Sequence, residues 1–277
     1  MPAEFPQLFR LDGRVAIITG GGGLLGEQHA AAIAAAGGIP VLVDISAERA
    51  QGVAGRIAGQ FGVAATALTA DITSEASVRD AAAAVAERFG RVDILINNAA
   101  NDPKFEADGE VAYSRLEHFP FAQWEADLAV GLTGAFLCSQ IFGTAMAAAG
   151  RGVIVNVASD LALIGPDQRI YRHADAAPDA QPTKPVTYAV VKSALLGLTR
   201  YLATYWADRG VRANAISPGG VYTDQSDVFV KKLTSLIPLN RMAKVDEYQG
   251  AMLFLCSDAS AYMTGSNLVV DGGRTCW

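Results

Sequence analysis

TGGGGLLG, residues 19 to 26, lies between the apolar run VAIIT (15–19) and the helical run LLGEQHAAAIAAAGG, and the reading of its glycines decides the fold. Gly21, Gly23 and Gly26 satisfy G-x-G-x-x-G, while Thr19, Gly20, Gly23 and Gly26 satisfy T-G-x-x-G-x-x-G. A third spacing, T-G-x-x-x-G-x-G, fails because Leu24 occupies the place of its middle glycine. Glycines between a strand and a helix make a tight turn, let backbone approach a pyrophosphate and aim helix N–H groups at its charge. Which spacing applies bears on whether the chain carries a second domain or is a compact single-domain one. The stretch alone does not choose, so the choice falls to the residues around it.

Along the rest of the chain, short β-rich apolar runs alternate with longer Ala-rich helical runs, the pattern of repeated βαβ units and a parallel sheet. The expected strands are VAIIT (15–19), IPVLVD (39–44), AATALTAD (64–71), VDILINN (92–98), GVIVNVAS (152–159), VRANAIS (211–217) and NLVVDG (267–272). Helices are expected near 24–36, 47–60, 74–89, 121–149, 187–209 and 245–257. The fold class that follows is α/β, a single-domain Rossmann-type doubly wound parallel sheet of seven strands flanked by helices, spanning 1–277. Two polar, Pro-punctuated segments, 101–120 and 165–186, interrupt the rhythm at the C-terminal ends of strands, where open α/β sheets bind ligands.

Bulk properties narrow the partners. A net charge of -6 and a pI near 5.1 disfavour nucleic acid or an anionic membrane surface, both of which want a basic face. Three cysteines, Cys138, Cys256 and Cys276, with no C-x-x-C spacing, argue against a disulfide framework or a metal site and for a reducing cytoplasm. The N-terminus MPAEFPQLFRLDGR lacks an apolar h-region, and no membrane-spanning run of about 18 apolar residues is expected.

Strand two ends in Asp44, 24 positions after Gly20. A carboxylate there accepts hydrogen bonds from ribose hydroxyls and repels a 2′-phosphate. No Lys or Arg lies in the glycine turn, and Arg49 is expected on the solvent face of the next helix, so the reading is NAD and not NADP. Asp71 has two readings, as an acceptor for the adenine amino group or as a charge at a helix start capped by Thr73 or Ser74. One of Asn97 and Asn98 is expected to face the cofactor.

Tyr188 and Lys192 form Y-x-x-x-K inside the helical run TYAVVKSALLGLTRY, on one helix face. An ammonium about 5 Å from a phenol, at an effective dielectric near 20, favours phenolate by roughly 3 kcal/mol and draws tyrosine towards neutral-pH proton transfer. Lys192 can also hold the nicotinamide ribose, and Ser159 supplies a hydroxyl for the substrate oxygen. Each has a plainer reading, Ser159 as a strand-end cap, Tyr188 as a core edge and Lys192 as a solvated charge.

The ordered set TGGGGLLG, VLVDI, ADIT, NNAA, VNVAS, YAVVK, NAISPGG and LVVDGG resembles the short-chain dehydrogenase/reductase family over residues 10–274. Only 89 residues follow Tyr188, and they must supply two strands, so the resemblance is to the compact branch with an atypical glycine turn. It implies that Ser159 orients the substrate oxygen, Tyr188 transfers the proton and Lys192 lowers the tyrosine pKa. It implies cofactor contacts from Gly20, Gly23, Leu25 and Gly26 in the turn, Asp44 and Ile45 after strand two, and Asp71 and Ile72 after strand three. Asn98 and Ala99 follow strand four, and Pro218, Gly219, Val221 and Thr223 meet the nicotinamide end beside Tyr188 and Lys192. It further implies a homotetramer and a small alcohol or ketone substrate. The details LLGEQHA, LIGPDQRIY and DGGRTCW are most similar to members linked to bacterial surface-sugar and flagellin modification. Three positions depart from the pattern: Leu24 in the turn, Ala100 for a glycine, and Gly131 where the family carries a fourth catalytic residue, an asparagine. Gly131 and the Leu24 turn keep open an alternative, a catalytically weak NAD-binding regulatory protein. Within 165–186, Arg169, Tyr171, Arg172, His173 and Lys184 are candidate donors to a polar substrate, and Asp167, Asp175 and Asp179 are candidate partners that would hold them at the surface instead.

Overall fold

The computed structural model describes residues 5–101, 114–174 and 176–277. Most of the first long segment (102–113) and Asp175 therefore lie outside the described residues. Seven strands, β1 (Val15–Thr19), β2 (Ile39–Asp44), β3 (Thr66–Thr69), β4 (Ile94–Asn97), β5 (Gly152–Val157), β6 (Val211–Pro218) and β7 (Asn267–Val270), form one parallel sheet. Their order is β3-β2-β1-β4-β5-β6-β7. The chain starts at β1, steps to one edge, then returns to the other side of β1. That reversal opens a crevice at the strands' C-terminal ends. The Val and Ile residues of β1 and β4 are buried because helices cover both faces, and each fully buried side chain stabilises the fold by about 1.5–3 kcal/mol.

The helices are α1 (Leu24–Ala35), α2 (Ala47–Phe61), α3 (Glu75–Phe89), α4 (Phe121–Leu128), α5 (Gly134–Ala148), α6 (Val186–Tyr205), α7 (Asp227–Thr234) and α8 (Gln249–Cys256). Ile33, Val53, Ile57, Met252 and Leu255 of α1, α2 and α8 pack on one face of the sheet. Val78, Val85, Phe142, Met146 and Leu202 of α3, α5 and α6 pack on the other. Ser46 and Ser74 cap α2 and α3 by accepting from Arg49 N and Ser77 N, and Gly62 and Gly90 end them in the left-handed region.

Every expected strand is present, with β3, β4, β5 and β7 shorter than read. The differences lie elsewhere. The expected helix at 121–149 is interrupted by a π-helical turn at Ala129–Thr133. Phe121–Ala148 is also long and apolar enough to cross a membrane by length and composition, against the expectation that no such run exists. In this fold its Cys138, Phe142 and Met146 lie against the sheet. The run at 187–209 leaves the α-helix at Tyr205. Helix α7 lies outside the helices expected from the sequence. Its Ser226 cap, accepting from Phe229 N, and its buried Leu233 are the signals that mark it.

Candidate active site

The glycine turn behaves as its spacing requires. Gly20 has φ of +62°, open to glycine at little strain. A Cβ on Gly26 would press into the Gly20 carbonyl oxygen, so Gly26 lets α1 close on the turn. Gly23 is the N-cap of α1 and, having no side chain to cap with, leaves the first N–H groups of the helix to a ligand. Leu24 begins α1 and is half exposed at the cavity rim.

That turn borders a cavity of about 640 Å³ over the C-terminal ends of β1, β4, β5 and β6. Gly20, Gly23, Leu25, Asp44, Ile45, Asp71, Ile72, Asn98 and Ala99 line one end. Ser159, Tyr188, Lys192, Pro218, Gly219, Val221 and Thr223 line the other. Of the expected cofactor positions, Gly26 alone does not line it and acts through packing.

At the first end Asp44 is buried, and its carboxylate accepts from Gly22 N at 3.0 Å and Ser46 N at 2.9 Å. Arg49 donates to the same group through Nη2 at 3.0 Å and lines the cavity. Arg49 lies on the solvent side of α2 as expected, with its side chain 59% exposed, and in addition its guanidinium reaches the buried Asp44 carboxylate, a pairing the sequence reading did not include. Asp71 accepts from Thr73 N and Thr73 Oγ1, at 2.9 and 2.7 Å, so it organises the start of α3 while bordering the cavity. Asn98 is the asparagine that faces the cavity, donating to the Thr19 and Gly20 carbonyls. Asn97 turns inward to Ser139 and Asn156, and Asn156 continues to Thr199, a buried polar chain that ties β4 and β5 to α5 and α6.

At the second end, Lys192 is buried and donates from Nζ to the Val157 carbonyl at 2.8 Å, which places its ammonium 5.9 Å from the Tyr188 ring centroid. The Lys184 ammonium sits nearer, 3.8 Å from that centroid. The tyrosine ring thus has two ammonium groups within 6 Å of its centroid. The spacing K-x-x-x-Y-x-x-x-K around Tyr188 was the available signal for this. Ser159 caps a short turn by accepting from Leu161 N, so its plainer reading and its place in the site hold together. Tyr248 donates to the Gly219 carbonyl at 2.9 Å and braces the Pro218–Gly219 turn.

Gly131 sits in the π turn. A Cβ there would lie 2.5 Å from Val191 Cγ1, so α6 fills the space in which the asparagine of the resembling family would start.

The second long segment forms a wall. Ile170 is buried with Leu233, Ile237 and Met242, and the Tyr171 and Phe229 rings meet at 5.7 Å. Tyr171 and Lys184 line the cavity, whereas Arg169 is paired with Asp167 at 2.6 Å with its side chain mostly in solvent. The Arg169 guanidinium holds the Asp167 carboxyl down to about 2. Arg172 and His173 are exposed and do not border the cavity, and the Arg172 carbonyl accepts from Lys232 Nζ. Of the five expected donors, Tyr171 and Lys184 alone reach the site. Asp160 and Arg274 also line it and carried no sequence signal.

His29, on α1, is buried, with neither ring nitrogen in hydrogen-bond geometry with a partner among the described residues. Burial pushes its pKa from 6.5 down to about 4, with Asn98 alongside opposing the shift. A base whose folded pKa is depressed keeps its full contribution above the unfolded pKa and loses it as pH falls towards the folded one. Between pH 6.5 and 4 the protein is expected to lose about 3 kcal/mol from this group. Urea midpoints at pH 7 and pH 4.5 check this: His29→Leu should narrow the gap between them, and an unchanged gap would assign acid sensitivity elsewhere.

The sheet order, the glycine turn at its switch point and the ligand cavity there place the chain in the Rossmann-type α/β class. It belongs to the short-chain dehydrogenase/reductase family of oxidoreductases, with residues 23–275 matching the family model described as enoyl-(acyl carrier protein) reductase. The chain is similar to D-threitol dehydrogenase of Mycolicibacterium smegmatis, 37% identical over 96% of this chain and 95% of that one. It is similar to the L-tagatose-forming galactitol 2-dehydrogenase of Cereibacter sphaeroides, 36% identical over 99% and 100%. Among solved structures it resembles a gluconate 5-dehydrogenase from Burkholderia cenocepacia in complex with NADP and tartrate, at TM-score 0.84 and 33% identity over 99% and 100%.

Proposed function

We propose that this protein interconverts a secondary alcohol and its ketone on a small polyol or sugar derivative, using NAD. The observation that carries the reading is the single cavity in which the glycine turn, Asp44, Ser159, Tyr188 and Lys192 meet. A dinucleotide fits these residues: the turn is bare where Cβ atoms would crowd it, and a helix N-terminus faces the place of the pyrophosphate. The names of the polyol dehydrogenases above support the substrate class.

When bound, the nicotinamide supplies the acceptor for the hydride leaving the carbinol carbon. Ser159 holds the substrate oxygen, and the Tyr188 phenolate takes the hydroxyl proton as the carbonyl forms. Lys192 and Lys184 stabilise the phenolate, and Lys192, anchored on Val157, is also placed to hold the ribose. The wall carrying Ile170, Tyr171 and Lys184 limits water and offers polar contacts to hydroxyl groups.

A screen of D-threitol, galactitol, sugars and sugar phosphates, followed by NADH absorbance, tests the proposal. Reduction of NAD with a polyol is expected. The second reading, a regulatory NAD-binding protein, is favoured by Gly131, which removes the family's fourth catalytic side chain; NAD binding without turnover of any alcohol would establish it. We place the protein in the cytoplasm as a homotetramer. The support for assembly is an apolar face on α5 and α6, where Phe136, Tyr201 and Tyr205 are exposed and the two tyrosine rings stack at 5.6 Å. Light scattering that returns a monomer at micromolar concentration would remove that inference.

A further inference from the structure

A second cavity, of about 190 Å³, lies at the opposite end of the sheet from the active site, among Arg14, Arg91, Asp93, Arg151, Arg212 and Asp258. Its four arginines stand at or just before the starts of β1, β4, β5 and β6, which are neighbours in the sheet, so the strand order itself gathers them. The entries to β5 and β6 touch backbone to backbone. Gly152 is in register with Val211, and a Cβ on Gly210, whose φ is +68°, would press into the Gly150 carbonyl oxygen. Arg151 and Arg212 are thereby held close to one another.

Four arginines meet two aspartates here, an excess of two positive charges in a chain whose net charge is -6. The aspartates do not serve all four. Asp93 is buried and accepts from Val15 N at 2.9 Å and from Arg91 Nε and Nη2 at 2.7 and 2.6 Å. Arg151 reaches that carboxylate only at 3.6 Å, and its side chain is 61% exposed. Asp258 pairs with Arg14 at 2.5 Å. Arg212 donates to the Met263, Leu255 and Ser257 carbonyls at 3.1, 3.2 and 3.1 Å, and among the described residues no carboxylate lies within ion-pair distance of it. Burial lowers its pKa from the ordinary arginine value; Cys256 and Asp258 oppose that shift and the Arg14 charge adds to it. The cavity therefore has one guanidinium loosely tethered at its open side and another set among neutral acceptors.

Like charges gathered in this way repel, and a dianion placed between them turns that repulsion into attraction. Guanidinium groups present planar forks that pair bidentately with phosphate oxygens, and an excess of two charges matches a phosphate dianion. At roughly 30 Å³ per water the cavity has room for about six, enough for a phosphoryl group on a small carrier. We propose that this cavity is a phosphoryl-anion site, for inorganic phosphate or a small phosphomonoester, separate from the active site and held chiefly by Arg151 and Arg212.

Titration calorimetry with inorganic phosphate and, separately, with glycerol 3-phosphate tests this, at ionic strength matched with KCl and with NAD saturating so that the glycine turn is filled. Saturable binding is expected with Kd of about 1 mM or below. Arg151→Ala should raise Kd about tenfold and Arg151→Glu should abolish binding. Because Arg151 is largely exposed, both variants should melt in KCl as the wild type does. Arg49→Ala, which alters the active-site cavity, should leave Kd unchanged. Tighter binding of inorganic phosphate assigns the site to the free anion, tighter binding of glycerol 3-phosphate to a phosphomonoester, and either upholds the phosphoryl chemistry. No saturation by either anion, the wild-type Kd in both Arg151 variants, or loss of binding in Arg49→Ala would overturn the site. The alcohol and ketone reading is decided separately, by turnover.

Discussion

Tyr188→Phe is expected to lower kcat by about 10²–10⁴-fold, the range for removal of a positioned general acid or base, while NAD affinity stays within about twofold. The substitution removes one oxygen and keeps the ring that packs beneath Lys184 at 3.8 Å, so the cavity shape survives. Lys192→Ala should behave differently. It takes away the cation beside the tyrosine and leaves the Val157 carbonyl without its 2.8 Å donor, so turnover and NAD affinity should fall together. Steady-state kinetics with NAD titration by fluorescence separates the two patterns. Retention of a tenth of the activity by Tyr188→Phe would require another acid in the cavity.

Cofactor choice should show the next largest effect. The wild-type protein is expected to favour NAD over NADP by at least about tenfold in kcat/KM, because the buried Asp44 carboxylate opposes a 2′-phosphate. Asp44→Ala should do more than remove that repulsion. Arg49, held on Asp44 at 3.0 Å, would be released at the cavity edge as a cation able to meet the phosphate, so the preference should narrow sharply. Combining Asp44→Ala with Arg49→Ala should then weaken NADP again, which distinguishes a released cation from a merely enlarged pocket. Equal use of both cofactors by the wild type would defeat the carboxylate argument.

These expectations were open to the sequence to different degrees. The seven strands were legible because buried parallel strands read as short Val- and Ile-rich runs bounded by glycine, and the intervening helices by their length and alanine content. The residues that the family resemblance implies were legible because each sits at a strand end or a fixed helical spacing; Gly26 belonged to that pattern but acts by packing instead of lining the cavity. What could not be read depends on which side chains pair once the chain is folded. The pairing of the solvent-side Arg49 with Asp44 was missed because its position on α2 says nothing of the buried carboxylate beside it. For Arg169 the sequence offered both a donor to substrate and a surface partner of Asp167, and the structure takes the second. Asp160 and Arg274 meet only after the tail has folded back across the sheet. The π turn within 121–149 leaves no trace in hydrophobic periodicity.

The contact between Gly131 and Val191 has a consequence for how this chain can change. A side chain at 131 must displace a methyl group on the helix that carries Tyr188 and Lys192. Gly131→Asn alone would therefore strain α6, and Val191→Ala alone would leave a void against it. Together the two substitutions vacate and occupy the same space, so their effects are coupled and their order matters. The four-residue arrangement of the family is thus separated from this protein by a pair of changes of which neither is a neutral first step.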